Sequence, residues 1–468
     1  MKERMWNGMK SRFFAVFIII IISLMMSGCS IGMDVEALLR PPHPIGEQKQ
    51  IQKALEAYIK IKKQVDKPDM RGNYILKYPK SGEYRSSFVI KDVNGDGKDE
   101  AIVFYSLGTE NSMIHLNLLK NTDDGWKSIS DIEGISADID RIQFGDLNGD
   151  GMLEVLTGWN IDLSNRQLVM YSLDSGVLNE WYKELYTEFV VGRLTDSGRD
   201  SLLILHSNAT AKTTTAKLMQ TEFEKKTNAM VLAEIGSTRL DGSIQQFLTP
   251  VISRLSDSIN GVYVDGLRSS GGMVTELIYW DGLQLLAPFY DSTKNRTILT
   301  YRDTPLPSRD MQGDGEIKWP ATQTIAGYEY TESDKVWFTR WNSWSVISKK
   351  VTQDFSCIIN MSDGYYFQTD EEWDGRFTFS YDKNTRTLAL HTLENDKAGN
   401  KFLMIRAVYR SALNSKNNAF GKFKQNDDAI KFQELDQLSD AKFMVWYSDA
   451  KPFNLNLDRI SYRFSYLQ

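Results

Sequence analysis

Two nine-residue segments carry oxygen-bearing side chains at alternating positions, an arrangement that can surround a cation. The first segment places such residues at its positions 1, 3, 5 and 9, namely Asp92, Asn94, Asp96 and Glu100. The second begins 54 residues later and repeats them with Asp146, Asn148, Asp150 and Glu154. Three carboxylates with neutral oxygens suit a hard cation that takes roughly six to eight ligands. The pattern therefore predicts two Ca²⁺ sites in preference to Mg²⁺ sites.

The backbone of each segment supplies the rest of the predicted site. Gly97 and Gly151 stand at position 6, where a residue without a Cβ permits a sharp bend. The carbonyl oxygens of Lys98 and Met152 at position 7 are predicted as further ligands. An Asp/Asn/Gly turn that holds no metal is the alternative for each segment.

Position 12 separates these segments from an EF-hand loop, which has a bidentate glutamate there. Val103 and Thr157 occupy that position here, so a helix-loop-helix calcium sensor is disfavoured. With a carboxylate at position 9 and strand-like sequence on both sides, the segments resemble the FG-GAP or VCBS repeats of integrin-like propellers. The resemblance implies that calcium in each loop fixes one blade of a β-propeller.

Alternating and apolar runs flank both segments and predict strands. Residues 87–90 and 101–105 enclose the first segment, and residues 139–144 and 155–159 enclose the second. Further strands are predicted at 113–119 and 167–171. Each repeat is therefore expected to form a meander of about four strands.

Weaker copies of the segment begin at Arg193, Arg254 and Asp310, at intervals of roughly fifty to sixty residues. A series of this kind predicts a mainly β chain whose residues 72–354 form a β-propeller of five to seven blades. Arg193 at position 1 and Lys318 at position 9 place cations where ligands would stand. Calcium is therefore predicted in the first two loops, and the fourth has too few acids to judge.

The N-terminus has the character of a secretory signal. Basic residues precede an apolar run over residues 13–26, which is too short to cross a bilayer comfortably. The following Met26, Ser27, Gly28 and Cys29 resemble a bacterial lipobox. The resemblance implies a signal peptide over 1–28, lipidation of Cys29 and attachment to the outer face of the cell membrane. An uncleaved anchor helix or ordinary secretory cleavage are the alternatives.

Charge limits the partners of the mature chain. The whole sequence has a net charge of −6, and without residues 1–28 it has 51 basic and 60 acidic residues, a net charge of −9. Nucleic-acid binding is disfavoured because no basic field is available for phosphates. An anionic bilayer would repel the body, so attachment to the membrane is expected to depend on acyl chains.

A tether and a helix are predicted over residues 29–71. Prolines at 41, 42 and 44 favour an extended connection. From Glu47 to about Val65, apolar residues recur at helical spacing, at Ile51, Leu55, Tyr58 and Ile59. This amphipathic helix is expected to dock on the body; a membrane-surface helix is the alternative.

Residues 355–468 are predicted as a smaller α+β domain with five strands and a closing helix through Leu457, Ile460, Phe464 and Leu467. The sequence around 364–375 is similar to a region that accompanies such repeats in secreted proteins of Gram-positive bacteria. Cys357 is expected to be a buried thiol. The tryptophans at 337, 341 and 344 are expected in the core, and a sugar-stacking platform is the alternative.

No catalytic or cofactor-binding motif is present in the sequence. We therefore expect a non-catalytic calcium-binding scaffold that presents loops to a protein or polysaccharide partner. The alternative is a propeller hydrolase or lyase that acts on cell-wall or environmental polysaccharide. Glu371 and Glu372, beside Trp373, are the candidate catalytic acids for this hydrolase or lyase. The simpler interpretation of these two residues is a solvated loop.

Overall fold

The computed structural model describes residues 46–62, 74–108, 111–208, 210–226, 228–328, 335–409, 431–448 and 453–467. The predicted signal peptide, Cys29 and the proline-rich tether lie outside these residues. Within the described ranges the chain is mainly β, as predicted, and forms consecutive antiparallel sheets. None of the helices found there has the length and apolar character that crossing a membrane requires.

The first two sheets contain the two strong segments. The strands of sheet 1 are Tyr74–Leu76, Phe88–Lys91, Glu100–Leu107, Ile114–Thr122 and Gly125–Glu133. The strands of sheet 2 are Ile139–Gly145, Glu154–Asn160, Arg166–Asp174 and Val177–Tyr186. The strands predicted around both segments are therefore present, and each sheet ends in an outer strand that the sequence did not specify.

Sheets 3 and 4 follow the same plan. The strands of sheet 3 are Glu188–Gly192, Ser201–Asn208, Thr213–Glu224 and Ala229–Leu240. The strands of sheet 4 are Ile244–Phe247, Val251–Arg254, Asn260–Arg268, Met273–Trp280 and Leu285–Leu286. A small hairpin of Tyr290–Asp291 and Arg296–Thr297 comes after them.

The last two sheets share most of the C-terminal residues. The strands of sheet 5 are Trp319–Gln323, Val336–Ser345, Lys350–Asn360, Tyr365–Thr369 and Phe464–Tyr466. The strands of sheet 6 are Phe377–Asp382, Thr387–Glu394, Lys397–Tyr409, Gln433–Gln437 and Ala441–Tyr447. The expected domain boundary between residues 354 and 355 falls inside a strand of sheet 5. The segment expected as α+β is mostly strand where it is described, with one α-helix, Leu457–Arg463, and a 3₁₀ turn, Glu371–Trp373.

Apolar clusters join each sheet to the next one along the chain. Between sheets 1 and 2, Ile102 and Phe104 belong to one buried cluster with Val155 and Trp159. Similar clusters unite sheets 2 with 3, 3 with 4, 4 with 5, and 5 with 6. Each sheet therefore covers an apolar face of its neighbour, which stabilises the series by roughly 25 cal/mol for every Å² removed from water.

An N-terminal helix, Glu47–Lys62, covers the other face of sheet 1. Its Ile51, Leu55 and Ile59 are buried in one cluster with Val103 and Tyr105. Successive strand residues point to opposite faces, so these two residues face away from sheet 2. The helix thus occupies the surface on which a last sheet would pack in a closed ring. Ring closure and the number of blades stay predictions.

The tryptophan-rich strand Val336–Ser345 contributes to the core. The Trp341 side chain has no exposed surface, stacks on Phe355 with ring centroids 6.3 Å apart, and directs its Nε1 at Cys357 Sγ over 3.3 Å. Burial raises the pKa of the Cys357 thiol to about 12, which keeps it protonated. Trp341 is therefore inaccessible as a platform for a sugar ring.

The closing helix is shorter than its apolar spacing predicts. Asn456 caps its N-terminus by accepting the Arg459 N–H over 2.9 Å. The helix ends at Arg463, and Phe464 begins a strand that pairs with Tyr365–Thr369. The prediction that Phe464 and Leu467 extend the helix is wrong, because sheet 5 offers Phe464 a ladder of hydrogen bonds and a buried site.

Sheet 4 buries a carboxyl group that should make the stability of the fold depend on pH. Glu276 is fully buried, and its Oε1 accepts the Asp241 N–H at 2.9 Å and the Thr297 hydroxyl at 2.6 Å. Its Oε2 has no hydrogen-bond partner within the part of the chain that is described. Burial raises the pKa of Glu276 to about 7.

We expect Glu276→Gln to raise the melting temperature relative to wild type at pH 8 but much less at pH 5. The folded-state pKa lies above the unfolded value of 4.5, so the contribution of Glu276 to stability is full below pH 4.5 and is lost as the pH rises through about 7. The loss is on the order of 3 kcal/mol, and a neutral glutamine avoids it. Melting curves across this range measure the difference. Exposed Glu222→Gln is the control, and an equal shift at both pH values would contradict the prediction.

Candidate metal-binding loops

The two strong segments form loops of the same shape, each between two consecutive paired strands of its sheet. We call residues 92–100 loop 1 and residues 146–154 loop 2. The glycines at positions 4 and 6 have positive φ angles of 71° and 81° in loop 1 and 82° and 87° in loop 2. A side chain would strain these positions. The glycines in the motif therefore set the course of both loops.

The aspartate at position 1 organises each loop by accepting two backbone amides. In loop 1, Asp92 accepts the N–H groups of Gly95 at 2.8 Å and Gly97 at 2.9 Å. In loop 2, Asp146 accepts those of Gly149 and Gly151 at 2.7 and 3.2 Å. These bonds bring the turn around the carboxylate.

The residues at positions 3 and 5 accept the amides two residues further on. Asn94 Oδ1 accepts the Asp96 N–H, and Asp96 Oδ1 accepts the Lys98 N–H, over 2.8 and 2.9 Å. The bonds from the Asp150 N–H to Asn148 Oδ1 and from the Met152 N–H to Asp150 Oδ1 are both 2.8 Å. The side chains of positions 1, 3 and 5 therefore all turn towards the loop backbone.

A buried glutamate at position 9 closes each loop from the strand that follows. Glu100 accepts the N–H groups of Val93 and Asn94, and its other oxygen lies 2.5 Å from Asn94 Nδ2. Glu154 repeats this with the Leu147 N–H at 2.8 Å and with Asn148 Nδ2 at 2.9 Å. The asparagine amide thus joins position 9 to the loop, and in loop 2 it also reaches Asp150 Oδ2 at 3.0 Å.

Burial makes the glutamates sensitive to a nearby cation. It raises the pKa of Glu154 to about 7, and it raises the pKa of Glu100 in the same direction. The other carboxylates of loop 2 add to the effect at Glu154. A divalent ion beside either glutamate would favour its ionised form.

The donor set fits calcium in kind, while the side chains are directed at the loop backbone. No three His, Cys, Asp or Glu side chains in the described ranges stand close enough together to enclose a metal ion. The carboxylates of loops 1 and 2 accept loop amides instead. Since the backbone already has the required turn, these side chains would have to rotate towards a common point to hold an ion. The carbonyls of Lys98 and Met152 are the remaining predicted ligands.

The weaker copies keep the shape of the loop with other side chains. In residues 193–201, Thr195 and Ser197 accept the amides at positions 5 and 7, while the Arg193 guanidinium bonds the Gly198 carbonyl. In residues 310–318, which we call loop 5, Asp310 accepts the N–H groups of Gly313 and Gly315. Arg193 and Lys318, the cationic residues predicted to oppose calcium, therefore belong to these loops.

Neighbouring loops are joined in a row. A Cβ built on Gly95 would lie 2.6 Å from the carbonyl oxygen of Gly151, so loops 1 and 2 touch. Each of the second, third and fourth copies also donates a hydrogen bond to the copy before it. These bonds run from Leu153 N to Val93 O, Asp200 N to Asp146 O, and Asn260 Nδ2 to Arg193 O. In the fifth copy, Ile317 N donates to Ser253 Oγ in the strand that leads into the fourth copy. No sequence pattern predicts this row of loops, because it depends on how successive sheets pack.

The acids considered for a polysaccharide-cleaving site lie in another place. Glu371 and Glu372 are exposed on the 3₁₀ turn and line an open pocket with Arg459 and Arg463. Trp373, beside them, is buried in the core between sheets 5 and 6. The aromatic ring is therefore not available to a glycan at these acids.

Antiparallel sheets joined in chain order, with glycine-rich acidic loops between their strands, define a repeat of the propeller-blade class. A family model described as an FG-GAP-like repeat matches residues 92–157. This range contains both loops and the strands between them, and it confirms the resemblance seen in the sequence. No curated protein matches the chain.

Proposed function

We propose that the chain is a calcium-stiffened binding or scaffold protein with no catalytic role, held by lipid on Cys29 at the outer face of the cell membrane. The FG-GAP-like repeat suggests a propeller-like binding domain. The calcium, the anchor, the extracytoplasmic location and the protein or polysaccharide partner are the finer parts of the proposal. The lipobox-like sequence at Met26–Cys29 supports the anchor.

The matched geometry of loops 1 and 2 is the observation that carries the proposal. The same residue types accept the same backbone amides in both loops, although the loops lie in different sheets. A carboxylate-rich loop gathers negative charge that a divalent cation would offset. Because the loops touch one another, an ion in either would also stiffen the surface that both form.

The two carboxyl groups whose pKa values are raised to about 7 belong to different sheets, so these two do not form a pair for acid–base chemistry. Glu154, with a pKa of about 7, lies in loop 2, whereas Glu276, with the same value, is fully buried in sheet 4. A glycosidase needs two carboxyls facing one bond across a cleft. These two face different surroundings.

We expect the full-length protein, purified in detergent, to bind two calcium ions. Asp92→Ala and Asp146→Ala should each remove one ion, since position 1 both organises its loop and supplies a ligand. Equilibrium dialysis with ⁴⁵Ca²⁺ counts the ions directly. Asp162→Ala is the matched control, because Asp162 accepts the amides of Ser164 and Asn165 in an exposed turn outside the loops. A count of zero for wild type would refute the calcium sites.

A further inference from the structure

The aspartate at position 5 differs between loops in what its second oxygen contacts. In loops 1, 2 and 5, Oδ1 of Asp96, Asp150 and Asp314 accepts the amide of position 7 at 2.8 to 2.9 Å. That shared bond gives the three carboxylates the same orientation relative to the loop backbone. The Oδ2 atom is then the oxygen left for a cation or for another donor.

In loop 1 a lysine from the neighbouring strand takes this oxygen. Lys120 lies opposite Glu100 in the strand register, and its Nζ is 2.8 Å from Asp96 Oδ2. The lysine side chain is 37% exposed, so it can move into solvent without a large desolvation cost.

Loop 2 has no lysine in the equivalent place. Val155 pairs with Tyr171 as Ala101 pairs with Leu119, so Ser172 stands where Lys120 stands in sheet 1. Asp150 Oδ2 accepts instead from the neutral amide of Asn148 at 3.0 Å. The oxygen of loop 2 is therefore in contact with a dipole and not with a full positive charge.

Loop 5 repeats the lysine contact in buried form. Lys318, at position 9, directs its Nζ at Asp314 Oδ2 over 2.9 Å, and its side chain is only 3% exposed. Releasing this ammonium would leave a buried charge without its partner, which is costly. The lysine thus replaces the glutamate of loops 1 and 2 and brings its own positive charge to the loop.

We infer that a lysine ammonium on the position-5 aspartate competes with calcium and so grades the loops by affinity. Loop 2 binds calcium most tightly, loop 1 binds it more weakly because Lys120 must leave, and loop 5 holds Lys318 in place of an ion. This rests on the proposed calcium function. An ammonium bonded to a ligand oxygen blocks it and repels a divalent ion a few ångströms away.

Reciprocal substitutions test the inference on the full-length protein by calorimetric titration with CaCl₂. We expect Lys120→Ser to tighten the weaker site by about three- to tenfold, and Ser172→Lys to weaken the tighter site by a similar factor. Lys183→Ser is the control, because Lys183 pairs with Glu180 on its own strand in sheet 2 and carries the same charge without contacting the loop carboxylates. Unchanged constants in both test variants would overturn the inference and leave the proposed function intact.

A third variant extends the test to loop 5. Lys318→Glu restores the position-9 carboxylate of loops 1 and 2, so the calcium count should rise from two to three. A count that stays at two in the folded variant would contradict the role given to Lys318, and if this variant does not fold, the Lys120 and Ser172 pair still decides. The absence of calcium binding by wild type and by every variant would overturn the proposed function and the inference together.

Discussion

Replacing Asp146 and Asp150 together by alanine is expected to remove most of the stabilisation proposed to come from calcium. Loop 2 is the site whose position-5 carboxylate has no lysine on it, so it should be the first to fill. A ligand that binds only the folded state adds about 2.7 kcal/mol at a hundredfold excess over its Kd. The melting temperature of wild type should therefore rise on moving from EGTA to millimolar Ca²⁺, and that of the double variant should rise far less.

Comparing melting temperatures in EGTA and in Ca²⁺ separates the effect of a substitution on metal binding from its effect on the structure of the loop. Asp146 also accepts the amides of Gly149 and Gly151, so its loss should cost about 0.5 to 2 kcal/mol even in EGTA. Asp162→Ala loses similar turn bonds and should keep the full response to calcium. Adding Asp92→Ala and Asp96→Ala should erase what response remains. A double variant that responds to calcium as wild type does would refute the loop 2 site.

The parts of the site that the sequence predicted are those fixed by neighbouring residues. Aspartate at position 1 and glycine at position 6 predicted the sharp turn, because positive φ angles are accessible to glycine, and the structure adds a second such glycine at position 4. The strands on both sides were equally predictable from alternation. These turns and hydrogen bonds form within nine consecutive residues, so they do not depend on how the sheets pack on one another.

The parts that escaped prediction depend on residues far apart in the chain. Lys120 reaches Asp96 only because the strand register sets it opposite Glu100. The bonds that join successive loops arise from the packing of one sheet on the next. The helix Glu47–Lys62 was visible as an amphipathic pattern, but the pattern could not reveal that it covers the free face of sheet 1. The periodicity of a helix shows that one of its faces is apolar, but it does not show which element that face packs on.

The row of loops gives the proposed binding role a physical basis. Loops that only project from a scaffold are mobile, and ordering them on binding costs conformational entropy. Here each of the first four loops is bonded to a neighbouring loop, and in loop 5 an internal ammonium offsets the acid charge. A partner would therefore meet a surface that is already ordered, with calcium proposed only in loops 1 and 2, where position 9 is a glutamate.

Asp265→Ala is expected to be the most destabilising single substitution considered for this chain. Asp265 in sheet 4 is buried, and its Oδ1 is 2.8 Å from Nη2 of Arg302, whose side chain is 1% exposed. Asp265 also accepts the N–H and the hydroxyl of Ser308. Removing the carboxylate leaves a buried guanidinium without its counter-charge, a change that typically costs about 3 to 5 kcal/mol. Denaturant unfolding measures the loss.

The location of this pair gives the prediction a second readout that a general loss of stability would not produce. Arg302 and Ser308 belong to the connection that runs from sheet 4 into loop 5, so hydrogen exchange should accelerate first in residues 298–318. Replacing both charges, Asp265→Asn with Arg302→Met, should cost less than Asp265→Ala, because no unpaired ion stays buried. Glu180→Ala, which breaks the exposed pair with Lys183, should cost less than about 1 kcal/mol. If Asp265→Ala were as mild as Glu180→Ala, the buried pair could not be what holds this connection against sheet 4.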